Sequence, residues 1–139
     1  MFESIVLGLD GSEDSLRALQ VARSLAETYN AKLILVHAYP RTSDLRTFEG
    51  YDTLVSQRKN VGRELLDRAQ KRLGDVSFDV EEDLLEGPAA EAILSVAKTR
   101  KADLIVLGTR GMGSVKGLLV GSVSHKVMQH AACTVMVVR

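Results

Sequence analysis

The sequence predicts an α/β protein with one domain, built on an open parallel sheet that has helices on both faces. Three observations support this prediction. Short apolar runs of strand length alternate with segments of helical periodicity along the whole chain. Most of these runs are apolar at nearly every position, as in strands that are buried on both sides. The 139 residues, 45% of them hydrophobic and 26% charged, suit a single globular core.

The first three elements form a predicted βαβ unit. Residues 4–9 are an apolar run that ends at a turn, and we expect them to form the first strand. In the helix that follows, Ser12 or Asp14 can cap the start, and Asn30 suits a left-handed end. Residues 32–38 form the second strand. Two such strands around one helix are expected to be parallel, with a right-handed crossover.

The middle of the chain predicts a connection, a helix and an edge strand. Residues 39–51 have little periodicity and contain Pro40, which favours a long and mobile connection. Residues 52–73 share an apolar face and end at Gly74, which predicts a helix. Residues 76–81 alternate apolar with polar side chains, the pattern of a strand with one wet face. Such a strand is expected at the edge of the sheet.

The last third of the chain continues the alternation. Pro88 is tolerated in a first helical turn and introduces a helix over residues 89–100. Residues 103–107 are the fourth strand. After a glycine-rich segment, a helix over residues 122–131 and a strand over residues 134–138 are predicted.

The charge balance and the single cysteine restrict the possible functions. Lys plus Arg and Asp plus Glu each number 18, so the chain has no net charge. Nucleic acid and anionic membranes require a basic excess or patch, so neither partner is expected. Cys133 cannot form an internal disulfide, the first residues do not resemble a secretion signal, and no apolar segment is long enough to span a membrane. We therefore expect a cytoplasmic protein.

The glycine-rich segment predicts a phosphate site. In open parallel sheets, ligands bind beyond the carboxyl ends of the strands, where the chain order reverses. Residues 8–12 and 108–124 lie at such ends, and the second segment reads GTRGMGSVKGLLVGSVS. Glycines let backbone N–H groups turn toward an anion and let a phosphate approach closely. The helix after the segment adds the positive end of its dipole.

The spacing within this segment excludes two common nucleotide motifs. A Walker P-loop requires GxxxxGK[ST], but Lys116 precedes Gly117 here. The dinucleotide motif GxGxxG would require glycine at position 116 and normally follows the first strand. Ser122 and Ser124 are each equally consistent with a helix N-cap and with a hydroxyl that donates to phosphate. Arg110 is consistent with a phosphate contact or with a solvated loop arginine.

The glycine spacing that does match is G-x2-G-x9-G-[ST], formed by Gly108, Gly111, Gly121 and Ser122. Together with Asp10-Gly11-Ser12 after the first strand, residues 36–38 at the end of the second and residues 86–89 before the third helix, it resembles the ATP-binding branch of the universal stress protein family. The resemblance spans nearly the whole chain, as one domain over residues 1–139. It implies five parallel strands in the order 3-2-1-4-5. Thr134 departs from the family pattern, which often has proline there.

The resemblance also implies a set of site residues for ATP, or for AMP or ADP as the bound species. Asp10 and the backbone of Gly8 and Leu9 would hold the adenine or ribose, and Ala38 would line the base pocket. The residues around the ribose and phosphates would be Leu107, Gly108, Arg110, Gly111, Gly121, Ser122, Val123 and Ser124. Mg²⁺ or Mn²⁺ would bind through the phosphates, and no protein ligand for a metal is assigned.

Two functions compete on this evidence. The first is a nucleotide-responsive binding module in a stress response. An unknown protein partner would recognise whether ATP is bound to it. The second is slow ATP hydrolysis or self-phosphorylation, for which Ser122 or Ser124 would suffice in principle; no catalytic residue is assigned. A phosphoacceptor receiver domain is a third hypothesis, but it needs a lysine after the last strand, where this sequence has Arg139. The short apolar strand at residues 135–138 predicts a homodimer through that edge.

Overall fold

Strands and helices alternate throughout residues 1–110 and 120–139, the parts of the chain that a computed structural model describes. In chain order the elements are β1 (Ser4–Gly8), α1 (Glu13–Tyr29), β2 (Lys32–Tyr39), a 3-10 turn (Ser43–Leu45), α2 (Tyr51–Leu73), β3 (Val80–Glu86), α3 (Ala89–Thr99), β4 (Leu104–Gly108), α4 (Ser122–His130) and β5 (Thr134–Val138). The strands are parallel and form one sheet in the order β3-β2-β1-β4-β5. The predicted fold class and strand order are confirmed.

The central strands are apolar at every position because the sheet is covered on both faces. In β1, Ile5 and Leu7 are fully buried against the layer formed by α1 and α2. Val6, between them, is fully buried in the opposite cluster with residues of α3 and α4. Successive side chains of a strand point to opposite faces, so one run of three apolar residues serves two cores.

The start and end of α1 follow from local chemistry. The Ser12 side chain accepts a hydrogen bond from the Ser15 N–H at 3.2 Å, so Ser12 rather than Asp14 is the N-cap. At the other end Asn30 adopts φ 50° and ψ 46°, which confirms the left-handed cap.

The predicted bounds of β3 are wrong, although its peripheral place is confirmed. The strand begins at Val80 instead of residue 76. Phe78 is buried and Val76 is partly buried against the core, so their alternation reflects an irregular segment that packs inward. The strand itself, VEEDLLE, shows no clean alternation because it contacts elements on both faces of the sheet.

The two edges of the sheet differ in charge. On β3, Glu81 and Asp83 pair with Arg100, and Glu82 pairs with Arg63. On β5, residues 135–138 are all apolar and half-buried. One edge is therefore covered by ion pairs, and the other presents an apolar strand.

Across residues 1–110 and 120–139, no helix combines the length and the apolar character that crossing a membrane requires.

Candidate functional site

The sheet brings the predicted site segments to a single edge. β1 has β2 on one side and β4 on the other, and all three are parallel, so their carboxyl ends meet. Asp10 follows β1, Ala38 lies near the end of β2, and Gly108 ends β4. This is the position where the strand order reverses, and where open parallel sheets bind ligands. Gly111 lies outside the described residues.

The turn after β1 is held by hydrogen bonds to β2. The Leu9 N–H donates to the Val36 carbonyl at 2.8 Å, and the Leu9 carbonyl lies 2.7 Å from Nδ1 of His37. The N–H of Leu9 is therefore committed to the sheet, and His37 has the structural role expected of a residue in a core strand. Asp10 Oδ1 accepts from the Ser12 N–H at 2.9 Å, which closes the turn in front of α1.

A Cβ would meet close neighbours at both Gly8 and Gly108, but the two sets of neighbours differ. A Cβ on Gly8 would lie 2.5 Å from Cδ2 of Leu107 and 2.9 Å from Cδ1 of Ile93, which are the ends of flexible side chains. A Cβ on Gly108 would lie 2.8 Å from the backbone C of Asp14 and 2.9 Å from the Ser15 nitrogen. Backbone cannot move aside as a side chain can, so Gly108 sets how closely β4 approaches α1.

Asp14 is a central residue of this edge that sequence reasoning missed as a site residue. It lies in the first turn of α1 and is only 7% exposed. Its Oδ2 accepts from the Thr109 hydroxyl at 2.9 Å and from the Arg110 N–H at 3.1 Å, and Arg17 pairs with Oδ1. An acidic residue in a first helical turn is common, so nothing local distinguished it.

The ionisation of Asp14 follows from these contacts. Burial alone would raise its pKa, but the hydrogen bonds from Thr109 and Arg110 and the charges of Arg17 and Arg110 outweigh burial and lower the pKa below its ordinary value. The side chain is therefore a carboxylate at neutral pH, able only to accept hydrogen bonds.

The start of α4 lies against the end of β4. Gly121 is the N-cap, and its N–H donates to the Thr109 carbonyl at 2.5 Å. Ser124 is buried and donates its hydroxyl to the Gly108 carbonyl at 2.6 Å, while Ser122 is exposed. Neither serine caps the helix through its side chain, so the alternative of a serine N-cap was wrong. The side chain of Val123 is also exposed.

The first turn of α4 has the general properties of an anion-binding site. The first N–H groups of any helix have no acceptor within the helix, and its dipole is positive there. Phosphate is the ligand that such a helix start commonly binds. Arg110 is exposed, and its Nε lies 3.9 Å from Asp14 Oδ2, so its charge is directed at least partly toward Asp14.

The other side of the site is the connection after β2. Ala38 is half-buried and pairs in register with Leu85 of β3. Glu86, at the end of β3, accepts from the N–H groups of Thr42 at 2.5 Å and Ser43 at 2.8 Å. These backbone hydrogen bonds lower the pKa of Glu86. The predicted connection is therefore tied down in its first half.

The remaining candidate side chains give no sign of a metal or thiol centre. Within the described ranges, no three His, Cys, Asp or Glu side chains group in a way that would hold a metal ion. His125 and His130 are both exposed on α4. The thiol of Cys133 is half-buried, and burial, together with the nearby Asp103 carboxylate, raises its pKa. A raised pKa disfavours the reactive thiolate.

The fold and this edge define a doubly wound α/β protein whose helix N-terminus faces the switch point of the sheet. The chain belongs to the universal stress protein family, because the sequence profile described as "Universal stress protein family" matches residues 1–139. A universal stress protein of Thermus aquaticus is 40% identical over 139 residues, covering 100% of both chains. Universal stress protein YxiE of Bacillus subtilis is 33% identical over 148 residues, again covering 100% of both.

Solved structures agree with the fold. The alignment with the structure of hypothetical protein MJ0577 has a TM-score of 0.88 at 25% identity, and it covers 99% of this chain and 96% of that chain. A universal stress protein in complex with cAMP has a TM-score of 0.68 at 33% identity, covering 99% and 97%. A family protein of Arabidopsis thaliana with AMP bound has a TM-score of 0.70 at 18% identity, covering 98% and 90%, which supports the fold alone.

Proposed function

We propose that this chain binds ATP at the carboxyl edge of its sheet and acts in the cytoplasm as a nucleotide-responsive module in a stress response. The observation that carries the proposal is the meeting of three features at one edge: the turn with Asp10, the end of β4 at Gly108 and the start of α4. Membership of the universal stress protein family supports it. So does the 33% identical family member that was crystallised with cAMP, another adenine nucleotide.

The residues divide between the two ends of the nucleotide. Asp10 and the backbone near Gly8 and Leu9 are proposed to hold the adenosine part, with Ala38 beside the base. The phosphates are proposed to lie at the first turn of α4, where the N–H groups of Ser122, Val123 and Ser124 are the first three of the helix and have no acceptor within it. Leu107, Gly108, Arg110, Gly111 and Gly121 complete the proposed set. A divalent cation, Mg²⁺ or Mn²⁺, would bind the phosphates and reduce their charge.

Calorimetric titration with ATP, AMP and cAMP tests the proposal. The informative variant is Ser122→Asp, because an acidic residue in the first turn stabilises the helix while it repels phosphate. We expect it to weaken ATP binding by roughly tenfold or more. The matched control is Gln129→Glu, which adds the same charge to an exposed position in the last turn of α4. A wild-type protein without affinity for any of the three nucleotides refutes the proposal.

Slow self-phosphorylation is the second candidate, and one observation favours Ser122 over Ser124 as its acceptor. The hydroxyl of Ser122 is exposed at the helix start, whereas Ser124 donates to the Gly108 carbonyl inside the protein. Transfer would therefore occur on Ser122. Incubation with ATP and Mg²⁺ or Mn²⁺, followed by peptide mass spectrometry of wild type and Ser122→Ala, tests this. Unmodified peptide together with intact ATP excludes both self-phosphorylation and hydrolysis.

We also propose a homodimer through β5. The Val138 carbonyl accepts from the Thr109 N–H at 2.8 Å, so it faces β4. Backbone groups alternate sides along a strand, which places the N–H and carbonyl of Val137 on the open edge. Val137→Pro removes that outward donor and is expected to give a monomer in light scattering at micromolar concentration. Val137→Ala, which keeps the N–H, is the control and should remain a dimer. A monomeric wild type contradicts the proposal.

A further inference from the structure

Thr109 connects three elements at the edge where the phosphates are proposed to bind. Its N–H donates to the Val138 carbonyl of β5 at 2.8 Å, and its carbonyl accepts from the N–H of Gly121, the N-cap of α4, at 2.5 Å. Its hydroxyl donates to Asp14 of α1 at 2.9 Å and is buried. Thr109 therefore links the start of α4 to the sheet and to α1.

Asp14 holds this threonine and the next residue together. The same oxygen, Oδ2, accepts from the Thr109 hydroxyl and from the Arg110 N–H, and the Arg110 side chain lies 3.9 Å away. Arg17 pairs with the other oxygen. Gly108 permits the contact, because any Cβ there would meet the backbone of Asp14 at 2.8 Å. Five residues from two distant parts of the chain thus meet around the carboxylate of Asp14, and Asp14 and Thr109 are buried at the centre.

We propose that Asp14 is a positioning residue for phosphate recognition, which acts through Thr109 to fix the first turn of α4 and the direction in which residues 109–110 leave β4. The inference rests on the proposed binding of ATP. Asp14 is not placed in contact with the ligand; its role is to hold the N–H groups that are. It should therefore affect the phosphate end of the nucleotide more than the adenosine end.

Simple electrostatics predicts the opposite sign, which makes the role testable. A carboxylate near a polyphosphate repels it, so its neutralisation would tighten ATP binding if charge alone mattered. If Asp14 positions the first turn of α4, its neutralisation instead weakens ATP binding, because a neutral amide oxygen is a weaker acceptor for Thr109 and Arg110 than a carboxylate oxygen, and the NH₂ group of Asn would face the Arg17 guanidinium, which also donates.

The experiment compares ATP and adenosine binding by calorimetry in the full-length protein. We expect Asp14→Asn to weaken ATP binding about tenfold, on the scale of one hydrogen bond to a charged group, and to change adenosine binding by less than about twofold. The matched control is Glu13→Gln, which removes a carboxylate of the same helical turn that also faces Arg17 but has a 93% exposed side chain. This control should bind both ligands as wild type does.

Variants of Thr109 supply the second readout. Thr109→Val removes the hydroxyl with little change of shape, and we expect it to weaken ATP binding in the same sense as Asp14→Asn. Thr109→Ser keeps the hydroxyl and should retain near wild-type affinity. Adenosine binding by each variant confirms that the variant is folded.

The possible outcomes separate the two proposals. Unchanged or tighter ATP binding by Asp14→Asn, with wild type binding ATP normally, overturns the positioning role and leaves the proposed function intact. Equal weakening of ATP and adenosine by Asp14→Asn also overturns the role, since it indicates a general loss of structure. A wild-type protein that binds neither ligand overturns the proposed function and the role of Asp14 with it.

Discussion

Two carboxylates hold the two segments that flank the candidate site, and they do so in different surroundings. Asp14 is buried and holds Thr109 and Arg110 at the end of β4. Glu86 is half-buried at the end of β3 and holds Thr42 and the residue after it. Both accept backbone N–H donors and both have a buried threonine as a partner, yet the Asp14 side chain is itself buried whereas that of Glu86 is only half-buried. Hydrogen bonds of the same kind are therefore expected to contribute differently to stability at Asp14 and at Glu86.

The largest loss of stability is expected when the carboxylate of Asp14, on the buried side, is removed. Asp14→Ala leaves the Thr109 hydroxyl and the Arg110 N–H without their acceptor, and we expect a loss of about 2–3 kcal/mol in the free energy of unfolding. Urea denaturation followed by circular dichroism measures it. Glu13→Ala, in the same turn but with an exposed side chain, should stay within about 0.5 kcal/mol of wild type. Equal effects of the two substitutions would contradict the distinction.

The second largest loss of stability is expected from a glycine substitution on the buried side. Gly108→Ala places a Cβ against the backbone of Asp14 and should cost about 1–3 kcal/mol of stability, since neither backbone can move freely. Gly8→Ala meets only the side-chain ends of Leu107 and Ile93 and should cost less. Urea denaturation of both variants provides the test, and a larger loss for Gly8→Ala would show that side chains are the stiffer neighbours.

The dependence of stability on acidic pH provides a further comparison of Asp14 and Glu86, because both carboxylates have lowered pKa values. A lowered pKa means that the stabilisation is complete above the ordinary value, 3.8 for Asp14 and 4.5 for Glu86, and is lost as the pH falls toward the folded-state pKa. Asp14→Asn and Glu86→Gln should therefore each flatten the fall in stability at acidic pH, and Glu86→Gln should act from the higher pH. Urea denaturation between pH 6 and about pH 3 checks this. An unchanged slope in either variant contradicts the assigned pKa direction.

The smallest effect is expected on the exposed side. Arg58 donates from α2 to the carbonyls of Pro40 and Arg41 at 3.1 and 2.9 Å, beside the turn that Glu86 holds. Arg58→Ala should change global stability by less than about 1 kcal/mol but accelerate amide hydrogen exchange at Thr42 and Ser43. Lys59→Ala, an exposed neighbour, is the control. Unaltered exchange at these two amides would show that Glu86 alone orders the connection.

The parts of the fold that the sequence predicted are those with a local cause. The apolar runs of β1, β2 and β4, the Ser12 cap and the Asn30 end all depend on neighbours in the chain. The start of β3 was misplaced because Phe78 is buried without being in the strand. Strand order came only through the family resemblance, since no local pattern encodes it.

The residues of the candidate site also divide into those that the sequence predicted and those that it did not. The glycines at the ends of β1 and β4 and the start of α4 were visible in the sequence. The pairing of Asp14 with Thr109 was not, because 95 residues separate them and each is ordinary in its own context. The hydrogen bond from Ser124 to Gly108 likewise depends on how α4 packs on β4, which only the folded chain reveals.

The ion pairs along β3 also bear on how many chains can join. A sheet with two adhesive edges can add copies on both sides and grow into a fibre. The acidic residues Glu81, Glu82 and Asp83 of β3 are already paired with Arg63 and Arg100 of the same chain, so a second copy that joined this edge would have to pack against these charged groups. Of the two edges of the described sheet, the apolar strand β5 is therefore the better suited to pairing, and the proposed assembly through β5 would end at two copies.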